Sequence, residues 1–105
     1  MAKIRIIKTI DVNAYEWFDK INGNSYFSAK VVIDYALPTY REFRVHFQYG
    51  YGEQYLYAAL KEIKKAYPRN KKIQSCDHFW QLRNLGIILR TNKRTGCKKR
   101  DLLDI

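Results

Sequence analysis

The sequence predicts an α+β fold: a small antiparallel sheet of three or four strands with an N-terminal β-hairpin, one main helix (about 53–66) and a basic C-terminal extension of helix and strand. Three observations support this fold class. Apolar and polar residues alternate in the first half, the apolar period changes to 3.6 residues after position 52, and lysine and arginine become frequent after position 60. No repeat or linker interrupts the 105 residues, so we expect a single domain over 1–105, β-rich and near-neutral over 1–52 and helical and basic over 53–105.

The first two strands are predicted to form a hairpin. The segment from Lys3 to Val12 is rich in Ile, Val and Thr, which favour a strand. Asn22-Gly23 is the strongest short-range signal of a two-residue type I′ turn, because both residues tolerate positive φ at little cost. The strands on either side are then 15–21 and 25–34.

This turn implies a register for the hairpin. Phe18 faces Phe27 as a core pair, and Asp19 faces Tyr26, which leaves Trp17 on the second face of the sheet. If that face is exposed, the Trp17 side of the hairpin is a binding surface; if it is covered, the motif only supports folding. The residues given a structural role in the hairpin are Trp17, Phe18, Asn22, Gly23, Tyr26 and Phe27.

The third strand and the main helix follow from a change of period. Alternation predicts a strand that directs one set of apolar side chains to the same face: Phe43, Val45, Phe47 and Tyr49. Gly50-Tyr51-Gly52 ends that strand, and Pro68 ends the helix that follows. The apolar stripe of this helix consists of Leu56, Ala59, Leu60 and Ile63.

The C-terminal third is predicted to be irregular and basic. After the connector 69–72, a short second helix is expected over 77–84, capped by Ser75 or Asp77. Gly86 then precedes a short strand and a basic turn or hairpin around 92–96. The C-terminus is expected to dock through three apolar residues: Leu102, Leu103 and Ile105.

Charge is the most informative property of the composition. Residues 1–60 carry seven basic and six acidic side chains, whereas residues 61–100 carry thirteen basic and two acidic ones, a net charge of +11. A positive field of this kind favours polyanionic partners, above all nucleic acid. Lysine and arginine would contact phosphates with little dependence on sequence.

The candidate nucleic-acid-binding residues lie on the main helix and after it. They are Tyr57, Lys61, Lys64, Lys65, Arg69, Lys71, Lys72, Arg90, Lys93, Arg94, Lys98, Lys99 and Arg100. Further aromatic residues that could stack on bases are Tyr51, Tyr55, His78 and Trp80. A helix, a short helix and a basic hairpin in series would also suit a winged-helix surface.

Metal binding and catalysis have weaker support. Cys76, His78 and Cys97, with His46 as a fourth ligand, lack the paired spacing of structural zinc sites, so we expect two free thiols, no metal and no cofactor. A metal-dependent nuclease could use paired carboxylates with a histidine as base. The candidates for such a site are Glu16, Asp19, Asp34 and His46, but no catalytic motif supports them, and we expect no enzymatic activity.

The hairpin also carries a resemblance to a known group of proteins. The motif Trp17-Phe18-Asp19, two variable positions and then Asn22-Gly23-Asn24-Ser25-Tyr26 is similar to one found in small uncharacterised proteins of tailed bacteriophages. The resemblance covers ten residues and implies a phage or mobile-element origin with a hairpin near the N-terminus. It brings no catalytic residues, because no activity is established for that group.

These observations leave two main classes of function. The first is a small phage-type accessory protein that binds DNA or RNA through its basic C-terminal surface. The alternative is a protein-binding effector that inhibits a host nucleic-acid-handling or defence complex, in the manner of an anti-CRISPR protein. We expect no membrane partner and a cytoplasmic location in the host cell, because no long apolar run or signal-peptide pattern is present. The edge of so small a sheet could pair with a second copy.

Overall fold

The computed structural model describes residues 7–104 and confirms the α+β class. Its elements in chain order are β1 (Thr9–Asp19), β2 (Asn24–Ile33), β3 (Arg41–Tyr49), α1 (Gln54–Ala66), α2 (Lys71–Gln74), a 3-10 helix (Phe79–Leu85), β4 (Ile88–Arg94) and α3 (Lys99–Leu103). The four strands form one sheet in the order β3-β2-β1-β4. The part of the predicted first strand before Ile7, and the predicted docking residue Ile105, lie outside the described residues.

The sheet is mixed rather than wholly antiparallel. β1 pairs antiparallel with β2 and β2 with β3, but β4 runs parallel to β1. Of the basic turn or hairpin predicted around 92–96, the hairpin does not form, because β4 takes its partner from the N-terminal strand; the chain bends at Gly96, where φ is 70°, and enters α3. A parallel pair needs a crossover connection, which α1, α2 and the 3-10 helix provide between β3 and β4.

One face of the sheet, which we call the α1 face, holds the main core. The predicted stripe of α1 is buried there, and Leu56 and Ile63 pack in one cluster with Ile10 and Val31 of the central strands. The cluster also takes in Ile73 of α2 and two residues of the 3-10 helix, Phe79 and Leu82. All three helical segments of the crossover therefore cover the same face.

The opposite face, which we call the α3 face, is covered only in part. α3 contacts β1, β2 and β3, and its Leu102 is fully buried, as predicted for the C-terminus. Leu103 is 57% exposed, so the prediction that it docks is wrong. The predicted second helix is a 3-10 helix that begins two residues later than expected and ends at Gly86, where φ is 83°.

The turn of the first hairpin is longer than the sequence predicts. Four residues, 20–23, connect β1 to β2, and Asp19 closes the turn. Its carboxylate accepts hydrogen bonds from the backbone N–H of Ile21 (3.0 Å) and from the side-chain amide of Asn22 (2.8 Å), and its carbonyl accepts one from Gly23 (2.7 Å). The Asn22 bond is the main reason that the pKa of Asp19 is lowered. Gly23 has φ 71°, so the Asn-Gly pair does form the bend.

The longer turn shifts the register of the hairpin by two residues. Trp17 pairs with Tyr26, and Asp19 pairs with Asn24. The predicted core pair of Phe18 and Phe27 is therefore wrong: Phe18 is 50% exposed near the hairpin tip. In the four-residue turn the Asp19 carboxylate accepts hydrogen bonds from the backbone N–H groups of Ile21 and Asn22. These bonds favour the longer turn over a two-residue turn, and the longer turn sets the register.

A bulge in β3 overturns the predicted alternation of that strand. Phe43 and Val45 pack on the α1 face as expected, but the pairing with β2 is irregular between Phe27 and Ala29. Beyond this point Phe47 and Tyr49 lie on the α3 face, because one extra residue in a strand reverses the facing of those that follow. Gly50 ends the strand tightly: a Cβ there would lie 2.5 Å from the Phe27 ring.

A buried aspartate joins the beginning of β1 to the end of β2. Asp34 is 1% exposed, and its carboxylate accepts hydrogen bonds from the backbone N–H of Lys8 (2.7 Å) and Thr9 (3.1 Å) and from the hydroxyl of Thr39 (2.6 Å). Asp34 also has a positive φ of 51°, and Ala36 follows with φ 60°. Asp34 therefore has a structural explanation in the turn between β2 and β3.

In the part of the chain that is described, no helix is long and apolar enough to cross a bilayer.

Asp34→Ala is expected to lower the free energy of unfolding by about 2–3 kcal/mol, because it removes a buried acceptor and leaves the backbone N–H groups of Lys8 and Thr9 without their partner. Urea denaturation followed by circular dichroism measures the loss. Thr39→Val removes only one of the three hydrogen bonds and should cost about 1 kcal/mol. Equal losses for the two variants would contradict this role of the carboxylate.

Ala36→Gly should raise the free energy of unfolding by about 0.5–1 kcal/mol, since an L-residue with a side chain is disfavoured at φ 60°. The opposite result is expected for Ala58→Gly within α1, where glycine costs about 1 kcal/mol. Thermal or urea denaturation of both variants gives the comparison, and destabilisation by both would show that residue 36 is not strained.

Candidate nucleic-acid interface

The fold separates the predicted basic residues into two groups that lie on opposite sides of the sheet, apart from Lys93, which reaches the α1 face beside Gly52 and Tyr55. The helical basic surface comprises Lys61, Lys64, Lys65, Arg69, Lys71 and Lys72, on α1, α2 and their connector. The C-terminal basic group comprises Arg90, Lys93, Arg94, Lys98, Lys99 and Arg100, on β4 and around α3. α1 covers one face of the sheet and α3 the other, so the predicted single basic surface is two surfaces.

The helical basic surface is assembled by the packing of α2 against the end of α1. The side-chain amide of Gln74 donates to the backbone carbonyls of Lys64 (2.8 Å) and Tyr67 (3.1 Å). Asn70 caps α2 by accepting from the backbone N–H of Ile73 at 3.1 Å. The Gln74 bonds fasten α2, which begins with Lys71 and Lys72, to the C-terminal end of α1.

The cations of this surface are mostly unpaired. Lys65 lies 3.5 Å from Glu62, in an exposed pair of the kind that contributes little to stability. Within residues 7–104, the other five members make no ion pair with a carboxylate. Lys64 and Lys65 also lie at the C-terminal end of α1, where the helix dipole favours positive charge. The helical basic surface therefore presents cations that can still bind anionic oxygens, such as those of phosphate.

The aromatic residues predicted to stack on bases differ in how accessible they are beside this surface. Tyr57 precedes Lys61 by one helical turn, is exposed, and meets the His78 ring edge-on at a centroid distance of 6.0 Å. Tyr55 is buried in the core. Trp80 donates from its indole nitrogen to Glu53 at 3.3 Å and lies beneath the guanidinium of Arg83. Tyr57 and His78 are thus the aromatic residues best placed beside the helical cations.

Two members of the C-terminal basic group are engaged within the fold. Arg90 forms a bidentate ion pair with Asp11: its Nε donates to Oδ1 at 2.6 Å and its Nη2 donates to Oδ2 at 3.0 Å. This hydrogen bonding raises the pKa of Arg90. Lys93 lies 3.1 Å from Glu16 and donates to the carbonyl of Gly52 at 3.0 Å. Both cations connect β4 to neighbouring elements, which gives each a structural explanation.

Other members of this group lie beside aromatic rings on the α3 face. The guanidinium of Arg94 is 5.6 Å from the centre of the Tyr15 ring. The ammonium of Lys99 is 5.8 Å from the Trp17 ring and 5.9 Å from the Phe47 ring. Cations at these distances interact favourably with the ring faces.

Sequence reasoning missed the aromatic cluster to which these cations belong. The ring of Tyr26 lies between those of Trp17 and Phe47. Its centre is 5.4 Å from the centre of the Trp17 ring and 5.1 Å from that of the Phe47 ring. Tyr49 meets Tyr26 edge-on at 5.8 Å. The motif of residues 17–26 pointed to Trp17 and Tyr26, but the bulge in β3 brings Phe47 and Tyr49 to them.

The residues considered for metal binding or catalysis are not brought together. Cys76 belongs to the core of the α1 face, whereas Cys97 lies near Arg94 and Tyr15 on the other side. Glu16 is paired with Lys93, and Asp34 is buried at the far end of β2. Over the described residues, no cluster of three or more His, Cys, Asp or Glu could hold a metal ion. The winged-helix arrangement does not form either, because β4 leads into α3 instead of a hairpin.

The chain matches no protein-family model, no curated protein and no solved structure at a significant level.

The two thiols should react at different rates. Cys76 is buried and burial raises the pKa of its thiol, whereas Cys97 is half-buried. A thiolate-selective reagent such as DTNB should modify one thiol of the native protein, at Cys97, and modify Cys76 at least about tenfold more slowly. Cys97→Ser should remove the fast phase, and its persistence in that variant would contradict the burial of Cys76.

Proposed function

We propose that the protein binds nucleic acid with little sequence specificity, and that the helical basic surface holds the phosphates. The observation that carries the proposal is the set of five cations on α1, α2 and their connector that make no ion pair with a carboxylate within residues 7–104. Phosphate contacts release counterions from the nucleic acid, so such a surface binds DNA or RNA backbones without reading bases. The resemblance of the hairpin motif to tailed-phage proteins supports an accessory role in the cytoplasm of a bacterial host.

The proposal is tested by the salt dependence of binding. Lys61→Gln/Lys64→Gln should weaken binding to a fluorescent random-sequence duplex about tenfold and reduce the slope of log K against log salt by about 2. Fluorescence anisotropy between about 50 and 200 mM salt measures both quantities. Lys8→Gln/Lys30→Gln changes the net charge equally but lies outside the helical basic surface, so it should have a much smaller effect.

Absence of binding to any DNA or RNA at about 50 mM salt would overturn the proposal, because several phosphate contacts give measurable affinity there. Equal effects of the two double variants would show that net charge, and not this surface, determines binding.

A second candidate function is binding to a host protein, as an inhibitor of a nucleic-acid-handling or defence complex. The observation that favours it is the apolar exposure around the hairpin tip, where Ile21 is 94% exposed and Phe18 lies nearby. Ile21→Asp should then abolish a stoichiometric complex recovered from host extract by affinity purification, while leaving nucleic-acid binding intact.

A further inference from the structure

The aromatic residues of the α3 face form a continuous row across three strands. β1 contributes Trp17, β2 contributes Tyr26, and β3 contributes Phe47 and Tyr49 beyond its bulge. Successive ring centres lie 5.1–5.8 Å apart along the series Trp17–Tyr26–Phe47 and from Tyr26 to Tyr49. We call these four residues the aromatic row.

The row is not part of the main core. α1 and the other crossover helices cover the opposite face, and none of the four residues belongs to the core cluster. Trp17, Tyr26 and Phe47 are half-buried, and Tyr49 is 58% exposed at the end of the row. Solvent therefore reaches the row, and the ring of Tyr49 is open to a ligand.

The charge around the row complements phosphate. Lys99 lies against two of its rings, and the exposed Lys98 and Arg100 flank Lys99 in the chain. Two carboxylates lie near these three cations: Asp19, which closes the hairpin turn and interacts electrostatically with Lys99, and Asp101, which accepts from the backbone N–H of Lys98 at 2.8 Å. Cations next to aromatic rings are the combination that single-stranded nucleic acid binds, with the backbone on the cations and bases on the rings.

A single strand fits this surface better than a duplex. In a duplex the faces of the bases are already stacked on one another, whereas the bases of a single strand can turn their faces to a protein ring. On the helical side, Tyr57 and His78 meet edge-on at 6.0 Å, whereas the aromatic row joins four rings across three strands. The two surfaces therefore differ in the chemistry that they offer.

We propose that the aromatic row is a base-stacking site for single-stranded nucleic acid, with Lys99 and its neighbours in contact with the phosphates. This inference rests on the proposed function, and it adds a preference for unpaired bases. Trp17 and Tyr49 contact bases directly, and Lys99 lies close enough to the rings to fix the path of the backbone across them.

The test uses the full chain carrying Trp80→Phe, which leaves Trp17 as its single tryptophan. The probes are an oligothymidylate of about 20 nucleotides, an abasic strand of equal length and charge, and a duplex. The oligothymidylate should quench Trp17 fluorescence and bind at least about tenfold more tightly than the abasic strand. The abasic strand and the duplex should bind with little quenching.

Variants at the exposed end of the row keep the test independent of folding. Tyr49→Ala should weaken oligothymidylate binding about tenfold and leave abasic-strand binding unchanged, because only base contacts are lost. The matched control is Tyr35→Ala, which removes a similarly exposed tyrosine (65% against 58% for Tyr49) at the other end of the sheet and should change neither. Circular dichroism and urea denaturation establish that each variant is folded.

Each alternative outcome has a definite meaning. If the abasic strand binds as tightly as oligothymidylate and Trp17 is not quenched, the base-stacking site is overturned while the proposed function stands. If none of the nucleic acids binds, both fail. If Tyr49→Ala leaves binding of all three probes unchanged but disrupts a purified complex with a host protein, the row is a protein interface and the inference is wrong.

Discussion

The parallel pairing of β4 with β1 is the constraint on which the rest of the structure depends. β3 and β4 lie at opposite edges of the sheet, so the chain between them must cross two strands. The crossover places α1, α2 and the 3-10 helix on one face, where their apolar residues complete the core. Arg90 and Asp11 lie directly opposite each other in this pairing, and their ion pair joins residues 79 positions apart.

The same crossover determines where the positive charge lies. The cations of α1 and α2 are carried to the outside of the helical layer, and those that follow β4 reach the other face with α3. The net charge of residues 61–100 is therefore distributed over two surfaces that differ in character. One presents cations with few neighbouring rings, and the other places cations against aromatic side chains.

Local patterns accounted for several elements but failed for the register of the hairpin and for the bulge in β3. The apolar stripe of α1 was recognised because its residues recur three and four positions apart in the sequence. A stripe with this spacing lies on one side of a helix, and that side is buried. The hairpin was recognised at Asn22-Gly23, but its register was missed, because the Asp19 hydrogen bonds outweigh the preference for a two-residue turn. In β3, alternation alone cannot reveal a bulge, so Phe47 was assigned to the wrong face.

The sequence by itself determined the fold class, the position of the main helix and the concentration of positive charge after residue 60, since composition and short-range periodicity carry this information. Only the tertiary structure decided which cations are unpaired, which are held by carboxylates, and which aromatic residues meet on the α3 face. The physical reason is that these properties depend on strand pairing between residues far apart in the chain. A change of one residue in register or one bulge reverses the face on which a side chain lies.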